Sequence, residues 1–324
     1  MLSTFNTIRK WIAFDLHTQI NIFLSTMDES SSETRKQFGN RFLTEAENIY
    51  QHNAWDAVEW DEEQENHAAE CVKKNSVITM PQEQAQAFDT EAETYWNAFY
   101  DIHQNKFFKN RHWLFTEFPE LKDSQSTSET FNIFEVGCGV GNTILPILQY
   151  NNDTNLRVFG CDFSSRAINI LKENDEFDTK RCQVFVLDAT SENWQDSLPF
   201  DESSLDIIVM VFVLSAIKPN KMRNVVQNCF KYLKPGGQIL FRDYGRYDLA
   251  QLRFKAGKCL EQNLYARGDG TLVYFFEQDE IRALFTNFGF IEVSNIIDRR
   301  LQVNRGKKLK MYRVWIQAKY QRPM

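Results

Sequence analysis

One short stretch, FNIFEVGCGVGNTIL from Phe131 to Leu145, constrains the fold of this chain more than any other. An apolar run through Ile133, Phe134 and Val136 reads as a buried strand, and it breaks into a turn with glycine at 137, 139 and 141. Three glycines there remove the Cβ atoms that would keep a ligand off the backbone and allow dihedrals closed to other residues. Asn142 and Thr143 then open a helix. A strand, a glycine turn and a helix in immediate succession mark a nucleotide-cofactor site.

Spacing narrows the choice of cofactor. The glycines run G-x-G-x-G, without the G-x-x-G ending that seats a pyrophosphate on a helix N-terminus in dinucleotide folds. Asp162, twenty-three residues after Gly139, ends a second apolar run from Leu156 to Cys161, which suits a carboxylate that accepts from both ribose hydroxyls. Asp188 ends a third run, Val184 to Leu187. A glycine turn followed by acids after the second and third strands matches the layout of class I methyltransferases that use S-adenosylmethionine (AdoMet). In that layout the third element serves the adenine side.

The chain has 324 residues, enough material for one large core and an extension. Single cores rarely grow beyond about 300 residues. The net charge of −7 at first sight speaks against an acidic partner such as RNA, but its distribution matters more than the total. Residues 28–93 hold 16 acids and 5 bases, a net of −11, so the rest of the chain carries +4. Arg299, Arg300, Arg305, Lys307, Lys308, Lys310 and Arg313 form a run without an acid, able to neutralise phosphates, with a solvated face or hairpin tip as the structural alternative for this run and for the cluster that follows. A second cluster interleaves cations with rings at Lys106, Phe107, Phe108, Lys109, Arg111, His112 and Trp113. The six cysteines stand singly, which argues for a reducing compartment and against a zinc site.

Three regions are expected. Residues 1–27, with Ile8, Ile12, Leu16, Ile20 and Leu24 every four residues, read as a dispensable amphipathic leader, too short of apolar residues to span a membrane and a poor mitochondrial presequence. Residues 28–120 read as an N-terminal arm, irregular from Phe38 to Gln64 and helical from Glu91 to Phe118, with Tyr95, Phe99 and Ile102 on one face. That region is expected to bind RNA and to lid the cofactor. A polar linker, Lys122 to Thr130, leads into residues 131–324, where strands near 132–136, 157–161, 182–187, 205–213 and 237–243 alternate with helices near 142–150, 164–174, 219–233 and 277–288. Alternation of this kind implies a parallel sheet covered on both faces. Ile291–Ile297 and Tyr312–Tyr320 read as a closing strand pair with the basic run in their connection. The predicted fold is α/β: a Rossmann-like class I methyltransferase with a seven-stranded, mostly parallel sheet and an N-terminal extension.

Methyl transfer is an in-line displacement that needs positioning more than proton chemistry. After strand four the chain has Val211-Phe212-Val213-Leu214-Ser215, with neither the Pro-Pro-Tyr signature for exocyclic amines nor a Pro-Cys nucleophile; a ring nitrogen with a lone pair needs neither. Strand five ends Phe241-Arg242-Asp243-Tyr244-Gly245-Arg246-Tyr247-Asp248, at the edge where doubly wound folds bind ligand. Arg242, Asp243 and Tyr244 are the candidate catalytic residues, against the structural alternative of an Arg242 ion pair to Asp243 or Asp248. Tyr265 to Thr271 reads as a tight turn carrying Arg267.

FGNRF (Phe38 to Phe42), QHNAWDAVEW (Gln51 to Trp60), YWNAFYDIHQNKFFKNRHWL (Tyr95 to Leu114), FEVGCGVGN, GCDFSSRAI, VFVLSAI, LKPGG, LFRDYGRYD and the DGT turn together resemble the eukaryotic tRNA N3-methylcytidine methyltransferases, over about residues 38–320 and closest to the branch with the QHNAWD arm. The resemblance implies methylation of cytidine N3 at position 32 of the anticodon loop, with threonine and arginine tRNAs as substrates. It also implies cofactor contacts from Trp96, Tyr100, Gly137, Gly139, Asp162, Asp188 and Val211, the last standing where the family usually has isoleucine. A base read on its pairing edge must be unpaired, splayed out and stacked. Trp113, Phe107, Phe108 and Tyr244 are the stacking candidates, and Lys106, Lys109, Arg111, His112, Arg267, Arg299, Arg300, Lys307 and Lys308 are the further RNA contacts. Implied partners are the tRNA anticodon stem-loop and a protein adaptor or aminoacyl-tRNA synthetase, in the cytoplasm rather than the mitochondrion. A small-molecule or protein acceptor, and a noncatalytic RNA-binding or partner-binding subunit, remain as alternatives.

Overall fold

The computed structural model describes residues 41–44, 48–122 and 130–324. The expected leader, residues 28–40 of the arm and most of the polar linker lie outside them. From the N-terminal side come a two-residue strand β1 (Ala54–Trp55) and the helices α1 (Glu62–Ser76), α2 (Gln82–Thr90), α3 (Ala92–His103) and α4 (Leu114–Glu117). There follow β2 (Phe131–Val136), α5 (Ile144–Tyr150), β3 (Leu156–Asp162), α6 (Ser165–Lys172), β4 (Cys182–Val186), β5 (Leu205–Val211), α7 (Pro219–Tyr232) and β6 (Leu233–Tyr244). The last elements are α8 (Leu249–Leu252), β7 (Cys259–Glu261), β8 (Leu264–Ala266), β9 (Leu272–Tyr274), α9 (Gln278–Thr286), β10 (Ile291–Asn304) and β11 (Leu309–Gln321).

Two compact units result, one of residues 60–298 with 314–324, the other of the described residues before 60 with 299–313. The main sheet has eight strands in the order β1-β10-β11-β6-β5-β2-β3-β4, one more than the expected seven, because β1 adds an edge strand beside β10. Its inner pairs are parallel, and β11 runs antiparallel to β6. Strands β3 and β4 lie on one side of β2 and strands β5 and β6 on the other, so the topology switches between β2 and β5, the place where open α/β sheets bind ligands. Fully buried Phe134, Ile208, Met210 and Phe241 make one face of the core, while Ile133, Ile207, Val209 and Val211 make the other. Residues buried on both faces explain why these strands read as continuous apolar runs.

Three further expectations are corrected. The helix predicted across 91–118 stops at His103, and its inward face is buried Phe99 and Tyr100 with half-buried Trp96 and His103, at helical spacing; Ile102 is 75% exposed. The two helices α1 and α2 were not anticipated, because α1 buries only Ala68 and Asn75 and so shows no apolar stripe. The basic run is not a connection: β10 reaches Asn304 and β11 resumes at Leu309, so only 305–308 form the turn.

In the smaller unit Trp55, Leu301 and Val303 form a buried cluster, and β1 pairs antiparallel with β10 through Ala54 to Gln302 and Trp55 to Leu301. Among the described residues no helix is long and apolar enough to cross a membrane.

Candidate active site

The turn after β2 folds as its glycines require. Gly137, Gly139 and Gly141 have φ of +68°, +53° and +88°. That left-handed region penalises a side chain. A Cβ on Gly137 would stand 2.3 Å from Val213, and one on Gly139 would stand 2.6 Å from the Tyr100 hydroxyl. The turn is therefore lined by the loop after β5 and by an aromatic from α3.

Asp162, at the end of β3, is 8% exposed and accepts from the Gly139 N–H and the Ser164 N–H, both at 2.9 Å. Burial pushes its carboxyl up to about 6, and the two backbone donors pull the other way. Two lone-pair sites are committed and two remain. Helix α3 is pinned over this end: Asn97 accepts from the Ser164 hydroxyl at 2.7 Å, and Arg166 pairs with Asp101 at 2.8 Å. Tyr100, 4% exposed, has its hydroxyl held well above its usual range by burial and then by the Asp162 charge. Trp96 packs beside it, ring centroids 6.0 Å apart. Asp188, exposed after β4, uses Oδ1 to accept from the Thr190 N–H and hydroxyl, each at 2.8 Å, while Leu187 donates to the Asp162 carbonyl at 3.1 Å. Val211 is 2% exposed in the sheet core, one residue before Phe212, whose φ is +60°.

On the β6 side Asp243 has no solvent exposure. Its Oδ2 accepts from the Ser215 N–H at 2.9 Å and its Oδ1 from the Tyr244 N–H at 2.8 Å. Burial raises this carboxyl to about 6, opposed first by the Ser215 hydroxyl, then by the two backbone donors and by the Arg267 charge. Tyr244 lies against Phe212 at 5.0 Å between centroids, and the Arg267 guanidinium sits 5.6 Å over its ring. The hairpin β8–β9 thus brings Arg267 to the site, as its tight turn, closed by the Thr271 carbonyl accepting from the Arg267 N–H, allows. A Cβ on Gly270 would strike Tyr95, so α3 also rests on the hairpin tip.

Arg242 is corrected. Its ion pair is to Asp298 rather than to Asp243 or Asp248, and Asp248 instead caps α8 through the Ala250 N–H and accepts from the Val314 N–H. Consecutive strand residues face opposite sides, so Arg242 points away from Asp243, where Asp298 and Gln317 accept from its guanidinium. Trp113 and Trp315 sandwich it at 5.1 and 4.7 Å. At 3% exposure it is a buried cross-link, and Trp113 is committed to it.

The basic aromatic cluster also divides. Phe107 and Phe108 pack on each other and on Phe99, with centroids 4.6–6.0 Å apart, which commits faces that were expected to stack a base. Lys106, Lys109 and His112 are exposed. Arg111 turns inward: it donates to the Thr143 hydroxyl at 2.9 Å, stands 3.5 Å from Glu135 and lies 5.9 Å over the Phe212 ring. Burial lowers its affinity for its proton, while Glu135, Tyr100, Tyr244 and Asp243 raise it, and that set joins both ends of the site. Glu135, fully buried, is pushed up to about 8 by burial against the pull of Arg111. Charge and a lysine two residues away disguised Arg111 as a surface cation. Of the terminal run, Arg300 is 7% exposed and pairs with Asp56 at 3.5 Å, Arg299 is half-buried, and Lys307 and Lys308 are exposed.

This constellation suits AdoMet. Side-chain-free backbone at Gly137 and Gly139 faces a buried two-acceptor carboxylate, with Tyr100 and Trp96 above it and a buried cation, Arg111, at the far end. A methyltransferase-domain family matches residues 134–239. The chain is 60% identical over 289 residues to the tRNA N(3)-methylcytidine methyltransferase Mettl2 of Drosophila melanogaster, covering 88% of each protein. It is 45% identical over 362 residues to the human tRNA N(3)-cytidine methyltransferase METTL2B, covering 90% of this chain and 95% of that one. In fold it resembles the PH0226 protein of Pyrococcus horikoshii OT3, with a TM-score of 0.50 at 16% identity over 71% of this chain and 98% of the other. With relatives of this identity over most of its length, the chain belongs to the AdoMet-dependent tRNA N3-cytidine methyltransferases.

Proposed function

We propose that this protein methylates N3 of the cytidine at position 32 in the anticodon loop of threonine and arginine tRNAs. The observation that carries the reading is the pairing, at one sheet edge, of a buried carboxylate with aromatic and cationic neighbours: Asp243 beneath Tyr244, Phe212, Arg267 and Arg111. Bound AdoMet supplies an electrophilic methyl group on a sulfonium. Asp162 would hold its ribose, Asp188 its adenine side, Gly137 and Gly139 would let it approach the backbone, and Trp96, Tyr100 and Val211 would enclose it.

Neutral cytidine carries a lone pair at N3 and no proton there, so no side chain need act as a base. What the chain must do is fix the ring and stabilise the positive charge that grows on it. Tyr244, already packed by Phe212 and Arg267, borders the ring by its edge, and Asp243 accepts from its N4 amino group with the acceptor capacity left over from the Ser215 and Tyr244 donors. A fixed anion in a water-poor site acts more strongly on developing charge than it would in water. Arg267, stacked on Tyr244, is placed to meet the sugar-phosphate side. Arg242 acts as a positioning residue that braces β6 against Trp113.

Partner and compartment complete the proposal. An RNA-binding adaptor or an aminoacyl-tRNA synthetase presents the tRNA, and the reaction is cytoplasmic, in keeping with cysteines that stand singly. The test is nucleoside mass spectrometry of tRNA incubated with purified protein and AdoMet, with and without cell extract. N3-methylcytidine in threonine and arginine tRNAs is expected; its absence under both conditions, or methyl transfer to protein alone, refutes the reading.

A further inference from the structure

Helix α7 carries Asn224 and Asn228 four residues apart, and so on one face. Asparagine is a poor residue for a helix interior, because its amide competes for backbone groups. Here both amides reach out of the helix. Asn224 Nδ2 donates to the Thr190 carbonyl and Asn228 Nδ2 to the Ser191 carbonyl, each at 3.1 Å. Asn228 is 5% exposed and uses its second amide hydrogen on the Asn224 carbonyl at 3.0 Å, which fixes its direction. The Trp194 Nε1–H donates to the Ala189 carbonyl at 3.2 Å. That indole is fully buried and stacks on Tyr232 of the same helix, with ring centroids 6.0 Å apart. Three consecutive carbonyls after β4 thus each meet a side-chain donor borne by α7 or packed against it.

The loop held in this way is the one that bears Asp188. A surface connection ordinarily gives its carbonyls to water and moves more than the elements it joins. The turn's own bonds are local: the Ser191 N–H donates to the Asp188 carbonyl at 3.1 Å, and Asp188 Oδ1 takes the Thr190 N–H and hydroxyl. Those bonds shape the turn without anchoring it to the core. The outside donors anchor it, since α7 packs into the main core through Met222, Val225, Val226 and Cys229. They also act on Asp188 itself. The carbonyl and N–H of one planar trans peptide unit point opposite ways. Drawing the Ala189 carbonyl to Trp194 therefore turns the Thr190 N–H toward Asp188 Oδ1, and drawing the Thr190 carbonyl to Asn224 turns the Ser191 N–H toward the Asp188 carbonyl.

From this arrangement we infer that Asn224, Asn228 and Trp194 are positioning residues for the adenine end of AdoMet: they set the peptide units that aim the Asp188 carboxylate and leave its Oδ2 to accept from the 6-amino group. The inference rests on the assignment of Asp188 to the adenine side given above. A carboxylate fixed before the ligand arrives separates a 6-amino group, which donates to it, from a 6-oxo group, which repels it. One that swings loses that difference.

The test is calorimetry of the intact protein with S-adenosylhomocysteine and with S-inosylhomocysteine, which carries a 6-oxo group and an N1 proton in place of the 6-amino group. Wild type is compared with Asn224→Ala, Asn228→Ala and Asp188→Ala. Asn224 is half-buried, so its variant decides the matter should the buried Asn228→Ala fail to fold. Wild type is expected to prefer the adenosyl ligand, and Asp188→Ala to lose that preference. Each asparagine variant is expected to bind S-adenosylhomocysteine about five- to tenfold more weakly, the loss of a hydrogen bond to a charged group, while its affinity for S-inosylhomocysteine stays within about twofold. A lowered Tm with the wild-type preference intact in Asn224→Ala overturns the inference, because that is what a merely structural tether produces. Equal weakening of both ligands overturns it as well. A preference lost in Asp188→Ala but kept in both asparagine variants refutes the positioning role alone; a preference kept in Asp188→Ala refutes the adenine assignment, and the inference with it.

Discussion

At the scale of single residues, two carboxyls dominate. Burial raises Asp162 and Asp243 to about 6 each, so both shed their protons just below neutrality. An acid raised by burial stabilises the folded state fully only below its unfolded pKa, near 4, and that contribution is lost as the pH rises through 6. At neutral pH the protein therefore keeps two buried charges at the expense of stability, as expected where the charges serve a ligand. Protonated Asp162 has fewer acceptor sites, so AdoMet affinity should fall several-fold between pH 7.5 and 5, as read by calorimetry. Replacement Asp243→Asn should lower kcat about a hundredfold, remove the acidic limb of the kcat profile near pH 6 and leave AdoMet affinity intact. Both acids were legible as strand-end carboxylates. Arg111 was legible only as a cation, because nothing in FFKNRHW says which of its charges turns inward; the Thr143 hydroxyl and Glu135 that receive it lie more than twenty residues away.

At the scale of elements, legibility followed burial. Strands β2, β3, β5 and β6 are covered on both faces and punctuated by Gly and Pro, so their apolar runs are unambiguous. Helix α1 buries so little that it leaves no period to read, and α3 was misphased because Ile102, apolar but exposed, mimicked a core position. The glycine turn makes an element-level prediction. A methyl group on Gly139 would meet the Tyr100 hydroxyl. It would also force a left-handed alanine, a conformation that costs about 2 kcal/mol. Gly139→Ala should therefore lower the Tm and weaken AdoMet binding at least about tenfold, checked by thermal unfolding and calorimetry. Strand β6 makes another. Arg242→Lys leaves Asp298 and Gln317 without their planar partner and loses the stack between two indoles. Lysine keeps the charge, so the loss is that of charge-assisted hydrogen bonds and ring contact, about 2 kcal/mol. Its signature is a lowered Tm that AdoMet only partly restores; an unchanged Tm with a raised KM for RNA would give Arg242 a direct contact instead.

At the scale of the whole molecule, the charge asymmetry found by counting is distributed more finely than the count suggests. Several cations in and near the two basic runs have inward duties: Arg111 at the site, Arg300 on Asp56, Arg242 between tryptophans. Those left exposed, such as Lys106, Lys109, Lys307 and Lys308, are the ones able to release counterions from RNA. Replacing Lys106 and Lys109 together with alanine should reduce the salt slope of tRNA binding by roughly 1.4–1.8 while the Tm holds, measured by filter binding over a salt series. The antiparallel register of β11 on β6, which sets Trp315 opposite Tyr244, has a consequence for synthesis. On a translating ribosome, β6 emerges roughly 70 residues before the strand that covers its edge, an interval of about 4–14 s at about 5–20 residues per second. Throughout that interval the nascent chain displays a bare, apolar sheet margin next to Asp243, the kind of surface that chaperones shield.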